Sequence, residues 1–344
     1  MENPQKPVKT IGPWGCLSVM TAGFFLFLTV TVVTVILCGS AVLSGFGTGA
    51  SGDGIERETL CGDPDSPSAV AVIDITGVIA SEPDGMETTV SPETVCRLLD
   101  AASADPDVKA VLLRMNTPGG EVTASDIISH AVKTCEKPVV VLMDALAASG
   151  GYYIAASADR ILANRNTLTG SIGVIITSIN YAGLSEKIGV RADLYTSGPM
   201  KAMLSGNREP DAETKQLVRD IVMDSYRTFV QVVSEGRNIP EETLLKSKIT
   251  DGRILTAAEA LEAGLIDGLG YFEDAVAEAE KLASIPPGTA HVVLYTEQQG
   301  LMDMLLKGSA GLKKPTMSIQ LPGTAASSGF RMKPGRAYYL PFPE

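Results

Sequence analysis

The chain has 344 residues, 45% of them apolar, and a net charge of -12. That length suits one large domain or two small ones with a sizeable core, and the acidic balance argues against nucleic acid as a partner. The five cysteines (Cys16, Cys38, Cys61, Cys96, Cys135) are scattered, with neither metal-ligand spacing nor a disulfide framework, and nothing in the sequence calls for a metal or an organic cofactor.

In chain order, the first feature is a stretch without charge from Thr10 to Gly52, within which Leu17–Leu37 is 21 residues dominated by Val, Leu, Phe, Ile and Thr. At about 1.5 Å per residue this spans ~30 Å, the hydrocarbon thickness of a bilayer. Lys6 and Lys9 precede it, and Asp53, Glu56 and Glu58 follow. The positive-inside rule then places the N-terminus in the cytoplasm and the remainder outside. A cleaved signal peptide is the alternative, but its apolar region runs only about 7–15 residues. Residues 1–45 are therefore expected to be a cytoplasmic N-terminus with a single transmembrane helix in the cell membrane, and 46–67 a flexible linker of Gly and Ser character.

Strand-like and helix-like segments alternate from Ser68 onward. Strands are expected at 70–75, 78–79, 108–115, 138–143 and 160–163, and helices from Ser91-Pro92 to about 102, at 122–135 and at 149–158. Serine followed by proline is an N-cap followed by a residue suited to the first helical position. This rhythm implies βα units and a largely parallel sheet. Further helices are expected at about 213–234 and 257–263. The pattern fades after Thr296, so the domain is placed at 68–298, with 299–344 as an arm or tail.

Three glycine-rich motifs carry possible chemistry. Asn116-Thr117-Pro118-Gly119-Gly120 follows a strand and opens a helix; glycines there leave backbone N–H groups free to hold an anion or oxyanion. Ala147-Ala148-Ser149-Gly150-Gly151 places a serine at a strand-to-helix turn, as a nucleophile or, more blandly, as a helix cap. Thr169-Gly170-Ser171-Ile172-Gly173 is a third candidate, or an ordinary turn serine. The chain has only two histidines, His130 and His291, so imidazole bases are scarce. Lys201 is the only charged residue from Leu194 to Asn207, flanked by Met200, Ala202, Met203 and Leu204. An apolar setting of this kind can keep a lysine neutral and basic, although a lysine in a packed segment can equally extend to water.

Taken in order, Asn-Thr-Pro-Gly-Gly, Ala-Ser-Gly-Gly-Tyr-Tyr, Thr-Gly-Ser-Ile-Gly-Val and Thr-Ser-Gly-x-x-Lys resemble the signal peptide peptidase A family of membrane-bound serine proteases in its short, single-domain form. Gly252-Arg253-Ile254-Leu255-Thr256 and Gly264-Leu265-Ile266-Asp267 extend the resemblance, which covers about 68–285. It implies an α/β fold of the ClpP/crotonase type. It also implies Ser149 as nucleophile, Lys201 as general base, Ser171 as the hydroxyl that orients the lysine, and the N–H groups of Gly120 and Gly150 as oxyanion donors. A homo-oligomeric ring and apolar peptides, chiefly residual signal peptides, are the assembly and substrates implied. Thr117 stands where the family commonly has Ser, and Pro199-Met200 before the lysine is less usual.

Two other readings are carried forward. One is an α/β-hydrolase with Ser149, Asp267 and His291, whose chain order fits that fold. The other is a non-catalytic membrane scaffold. An extended substrate is expected to add a strand beside the oxyanion loop, a geometry that would also admit the chain's own tail.

Overall fold

The structure, a computed structural model, describes residues 54–82, 88–298 and the backbone of 337–339. The charge-free stretch expected to cross the membrane lies outside the described residues. Among those described, no helix is long and apolar enough to do so.

Residues 55–61, expected in the linker, form β1 (Ile55–Cys61). Only Ile55 of this strand is buried, and most of its other side chains are charged or exposed. An edge strand shows its apolar alternation weakly, so its sequence passes for a loop. Next come β2 (Ala69–Thr76), β3 (Val78–Ile79) and β4 (Thr89–Val90). Helix α1 (Pro92–Ala104) starts where expected, with the Ser91 side chain accepting from the Thr94 N–H at 3.1 Å. Then follow β5 (Val108–Thr117), β6 (Gly120–Glu121), α2 (Val122–Thr134), β7 (Val139–Ala148) and α3 (Gly150–Ala155). β8 (Arg160–Ala163), β9 (Leu168–Gly170) and β10 (Ile175–Ile176) lead into an excursion containing α4 (Ala182–Ile188) and a 3-10 turn at Pro199–Ala202. The long α5 (Ala212–Arg237), capped by Asp211 and ended by Asn238 at φ 53°, returns the chain to α6 (Glu241–Lys246). β11 (Ile254–Thr256), α7 (Ala257–Glu262), β12 (Gly268–Leu269), α8 (Phe272–Leu282), β13 (His291–Glu297) and β14 (Ala337–Tyr339) complete the order.

The main sheet runs β1-β13-β2-β5-β7-β8-β12, parallel from β13 to β12, with β1 antiparallel at one edge. Its central strands are apolar at nearly every position because both faces are covered. Ala71, Ile73, Val111, Leu113, Val141 and Met143 belong to one buried cluster. The alternate residues Val70, Val72, Leu112, Val140 and Leu142 belong to a second, which includes Ala275 and Ala279 of α8. This period of two is the sheet pleat itself. The mixed α/β class with parallel βα units agrees with the sequence reading.

A small second sheet, β10-β14-β6-β3-β4, is built from the segments that follow the main strands. β3 continues from β2 past Gly77, and β6 continues from β5 past Thr117-Pro118-Gly119. Ligand sites in open α/β sheets gather beyond the carboxyl ends of the strands, and here those ends converge on Gly120, Ser149 and Ser171.

Candidate active site

β7 extends beyond the expected Met143 to Ala148, directly before Ser149. Ser149 has φ 55° and ψ -115°, a region that costs a non-glycine residue about 1–3 kcal/mol. Two backbone bonds hold it there: its N–H donates to Gly170 O, and Tyr153 N–H donates to Ser149 O, each at 2.8 Å. The parallel pairing of Ala148 with Gly170 brings the neighbouring Ser171, itself at φ 51°, alongside Ser149. The expected helix at 149–158 begins one residue later, at Gly150. A capping serine would accept a bond from the start of that helix, but Ser149 makes no such bond. Its Oγ is fully buried and has no hydrogen-bond partner, although buried polar atoms nearly always have one.

The glycine turn lies against Gly150, the residue that follows Ser149. A Cβ added at Gly150 would fall 3.1 Å from the Gly120 N and 2.4 Å from Ser125 Oγ, so the backbone nitrogen of Gly120 is next to Gly150. A Cβ at Gly120 would meet Ile79 O at 1.9 Å, because β6 is packed directly on β3. Stabilisation of a tetrahedral oxyanion needs backbone N–H donors close to the nucleophile, and Gly120 and Gly150, neighbours of each other and of the residue with the unpaired hydroxyl, are the candidates for it.

Two residues whose side chains support this arrangement, Thr117 and Ser125, have no side-chain role in the sequence motifs. Thr117 is buried, and its Oγ1 accepts from Gly119 N–H at 3.0 Å, which locks the turn at whose centre Gly119 has φ 98°. A hydroxyl residue two positions before a turn glycine is the available signal. Ser125 donates to Glu121 O at 2.9 Å from the first turn of α2, and its oxygen lies over Gly150. Tyr152 and Tyr153 anchor α3 through hydroxyl bonds to Leu265 O at 2.8 Å and Asp126 Oδ1 at 2.7 Å. The Tyr153 ring packs on Phe229 of α5 at 5.0 Å between centroids.

Ser149, Ser171, Gly120 and Gly150 are thus brought together; Lys201 is not. It stands on the 3-10 turn, in a hollow lined by Leu194, Thr196, Met200, Met203, Leu204 and Ser205, and it is exposed. The enclosing apolar setting expected for it is missing within one chain, because the excursion 175–201 leaves much of its own apolar surface exposed. Ile179, Ile188 and Val190 are more than half exposed there, and Tyr195 is 96% exposed.

The Ser/Asp/His alternative is not assembled. Asp267 Oδ2 accepts from the Ile161 N–H at 2.8 Å, while Oδ1 lies 2.9 Å from Arg237 and 3.2 Å from Arg160. His291 is hydrogen-bonded to Thr59 at 2.8 Å and pairs with Ala69 at the start of β2. It is three strands from β7 and at the opposite end of the sheet from Ser149.

A sequence profile of Peptidase family S49 matches residues 131–286. A putative protease of Synechocystis sp. is 35% identical over 246 residues, which are 71% of this chain and 85% of that protein. The chain belongs to peptidase family S49. This signal peptide peptidase A family is one of serine proteases, as the motifs imply. A putative signal peptide peptidase SppA of Enterococcus faecium is 42% identical over 188 residues, 54% of each chain. The S49 chain therefore spans about half the length of that curated relative. Among solved structures, a ClpP1 mutant from Listeria monocytogenes is similar at a TM-score of 0.40 and 18% identity, covering 60% of this chain and 94% of that one; no residue role follows from it.

Proposed function

We propose that this S49 chain is a membrane-anchored serine endopeptidase that cuts apolar peptides, residual signal peptides among them, on the outer side of the cell membrane. Ser149 is the nucleophile and Lys201 the general base. Ser171 orients the lysine, and the Gly120 and Gly150 N–H groups receive the oxyanion. The observation that carries the reading is the fully buried Ser149 hydroxyl, held at φ 55° and without a partner. A structural serine has no reason to be both strained and unbonded.

In the reaction, neutral lysine takes the proton from Ser149 Oγ as that oxygen bonds to the peptide carbonyl carbon. The carbonyl π electrons move onto oxygen, where the two N–H groups stabilise them by about 3–4 kcal/mol per donor. The lysine returns the proton to the leaving nitrogen as the C–N bond breaks, and water then hydrolyses the ester by the same steps in reverse order. An ordinary lysine, with a pKa of about 10.4, is almost wholly protonated at neutral pH, so the base must be desolvated when it acts.

An exposed Lys201 and an unpartnered Ser149 favour a dyad completed between copies of the chain, in a homo-oligomeric ring. The exposed apolar side chains of 175–195 are the surface on which the copies associate, and their contact covers the lysine. The anchor reading rests on the charge-free sequence from Thr10 to Gly52 with lysines before it and acids after it. Mixing Ser149→Ala with Lys201→Ala subunits tests the central claim. Each is inactive alone, and the mixture recovers peptidase activity. Full activity in Lys201→Ala alone refutes the dyad, and absence of labelling of Ser149 by a serine-reactive probe favours a scaffold.

A further inference from the structure

α3 is a helix of six residues that opens on Gly150-Gly151 and has no side-chain cap. A helix this short does not hold its own shape in water, and the strained backbone of Ser149 before it persists only where the surroundings impose it. One contact that imposes it comes from Tyr153, whose N–H donates to Ser149 O at 2.8 Å. That oxygen and the Gly150 N–H are the two ends of one peptide unit. The unit is planar and trans, so whatever fixes the direction of the Ser149 C=O fixes the opposite direction of the Gly150 N–H, one of the two oxyanion donors. Tyr153 is itself held from α2. It is buried, its ring packs on Phe229, and its hydroxyl donates to Asp126 Oδ1 at 2.7 Å. Asp126 is exposed and pairs with no cation among the described residues; Lys133, which lines the same hollow, pairs with Glu235 instead. The preceding residue, Ser125, has its oxygen over Gly150, so two consecutive residues of α2 meet the start of α3 and its fourth residue. α2 begins directly after Gly120-Glu121, and Gly120 is the other donor.

We propose that Asp126 is a positioning residue for the S49 peptidase reaction. Its bond to Tyr153 sets the place of Ser149 O and, through the shared peptide unit, aims the Gly150 N–H at the oxyanion. The inference rests on the reading of Ser149 as nucleophile and Gly150 as donor, and it makes α2 the common frame of both donors. An aimed donor matters most when charge has developed on the oxygen, so its misplacement lowers kcat and leaves KM nearly unchanged.

The test uses variants of the full chain. Tyr153→Phe removes the hydroxyl and keeps the ring on Phe229, Asp126→Ala removes the acceptor, and Asp126→Asn keeps an oxygen that can accept. Tyr295→Phe is the control, since Tyr295 makes a matched bond to Asp105 Oδ2 at 2.8 Å on β13, three strands from β7. With an apolar fluorogenic peptide, kcat falls about ten- to a hundredfold in Tyr153→Phe and Asp126→Ala, the scale of a small misplacement of a catalytic group. The double variant is no worse than either single one, because both break the same bond. Asp126→Asn keeps most of the wild-type kcat, and Tyr295→Phe lowers the melting temperature without changing kcat. The inhibition constant of an apolar peptide aldehyde, whose adduct with Ser149 bears the tetrahedral oxygen, rises by the factor by which kcat falls, a response that loss of stability alone does not give. Amide hydrogen exchange over residues 149–155 does not depend on turnover; it speeds up in Tyr153→Phe and Asp126→Ala and not in Asp126→Asn. That exchange pattern in a chain that neither turns over nor labels at Ser149 with a serine-reactive probe, wild type included, supports the tether while sinking the catalytic reading. In an active enzyme, wild-type kcat in both Asp126→Ala and Tyr153→Phe overturns the proposal, and so does an Asp126→Asn variant as poor as Asp126→Ala.

Discussion

Gly150→Ala probes the site with a single methyl group. The new carbon would sit 2.4 Å from Ser125 Oγ and 3.1 Å from the Gly120 nitrogen. The first distance is well inside contact, so Ser125 must rotate and give up its 2.9 Å bond to Glu121 O, worth about 1 kcal/mol net. Overpacking of a buried site adds strain of about 1–3 kcal/mol. For a domain of this size each kcal/mol lowers the melting temperature by about 2–4 °C. The second contact crowds the Gly120 N–H where it must meet the oxyanion, and loss of one such donor costs about 10²–10³ in kcat. Steady-state hydrolysis of an apolar peptide and thermal unfolding, measured on the same preparation, read the two effects separately. Adding Ser125→Gly removes the nearer obstacle, so the double variant regains most of the melting temperature while kcat stays low. If Gly150→Ala matches the wild type in both kcat and melting temperature, the placement of Gly120 and Gly150 around one oxyanion site is wrong.

Thr117→Val keeps the shape and deletes the acceptor for Gly119 N–H; it should cost about 1–3 kcal/mol and lower kcat, whereas Thr117→Ser should preserve both, as unfolding and kinetics will show. Burial works against ionisation of Asp267, but its bonds to Arg237 and the Ile161 N–H and the charge of Arg160 outweigh this and hold its carboxyl below the usual range. With a depressed folded pKa, the unfolded chain takes up the proton first. The stabilisation is therefore full above the ordinary carboxylate value of about 4 and disappears as pH falls through the folded value. Asp267→Asn should lower the melting temperature at pH 7, and the gap to wild type should close on acidification below about pH 4; a gap independent of pH contradicts the ion-pair role. A lysine base active only when neutral predicts a rate that climbs toward alkaline pH, and a flat profile from about pH 6 to 10 with chemistry rate-limiting counts against it.

The sequence by itself determined the local elements and the ordered motifs. Apolar runs such as 139–143 and 110–113 announce strands covered on both faces. Ser91-Pro92 opens α1 where its cap chemistry says it should. Glycines at 119, 120, 150 and 170 sit where a positive φ or a backbone approach leaves no room for a side chain. β1 is not legible in the sequence because an edge strand with one buried side chain lacks clear alternation. Only the tertiary structure decided which motifs meet. Parallel register sets Ser171 beside Ser149, and packing of β6 on β3 sets the Gly120 nitrogen beside Gly150; both are long-range pairings invisible to a local pattern. The same reason separates Asp267 and His291, whose chain order alone suits a triad: Asp267 directly precedes β12 at one side of the sheet and His291 opens β13 near the other. Lys201 shows the limit most sharply: its apolar neighbours in sequence do not enclose it, because burial depends on what packs against a segment, and the excursion that carries it packs against little of its own chain.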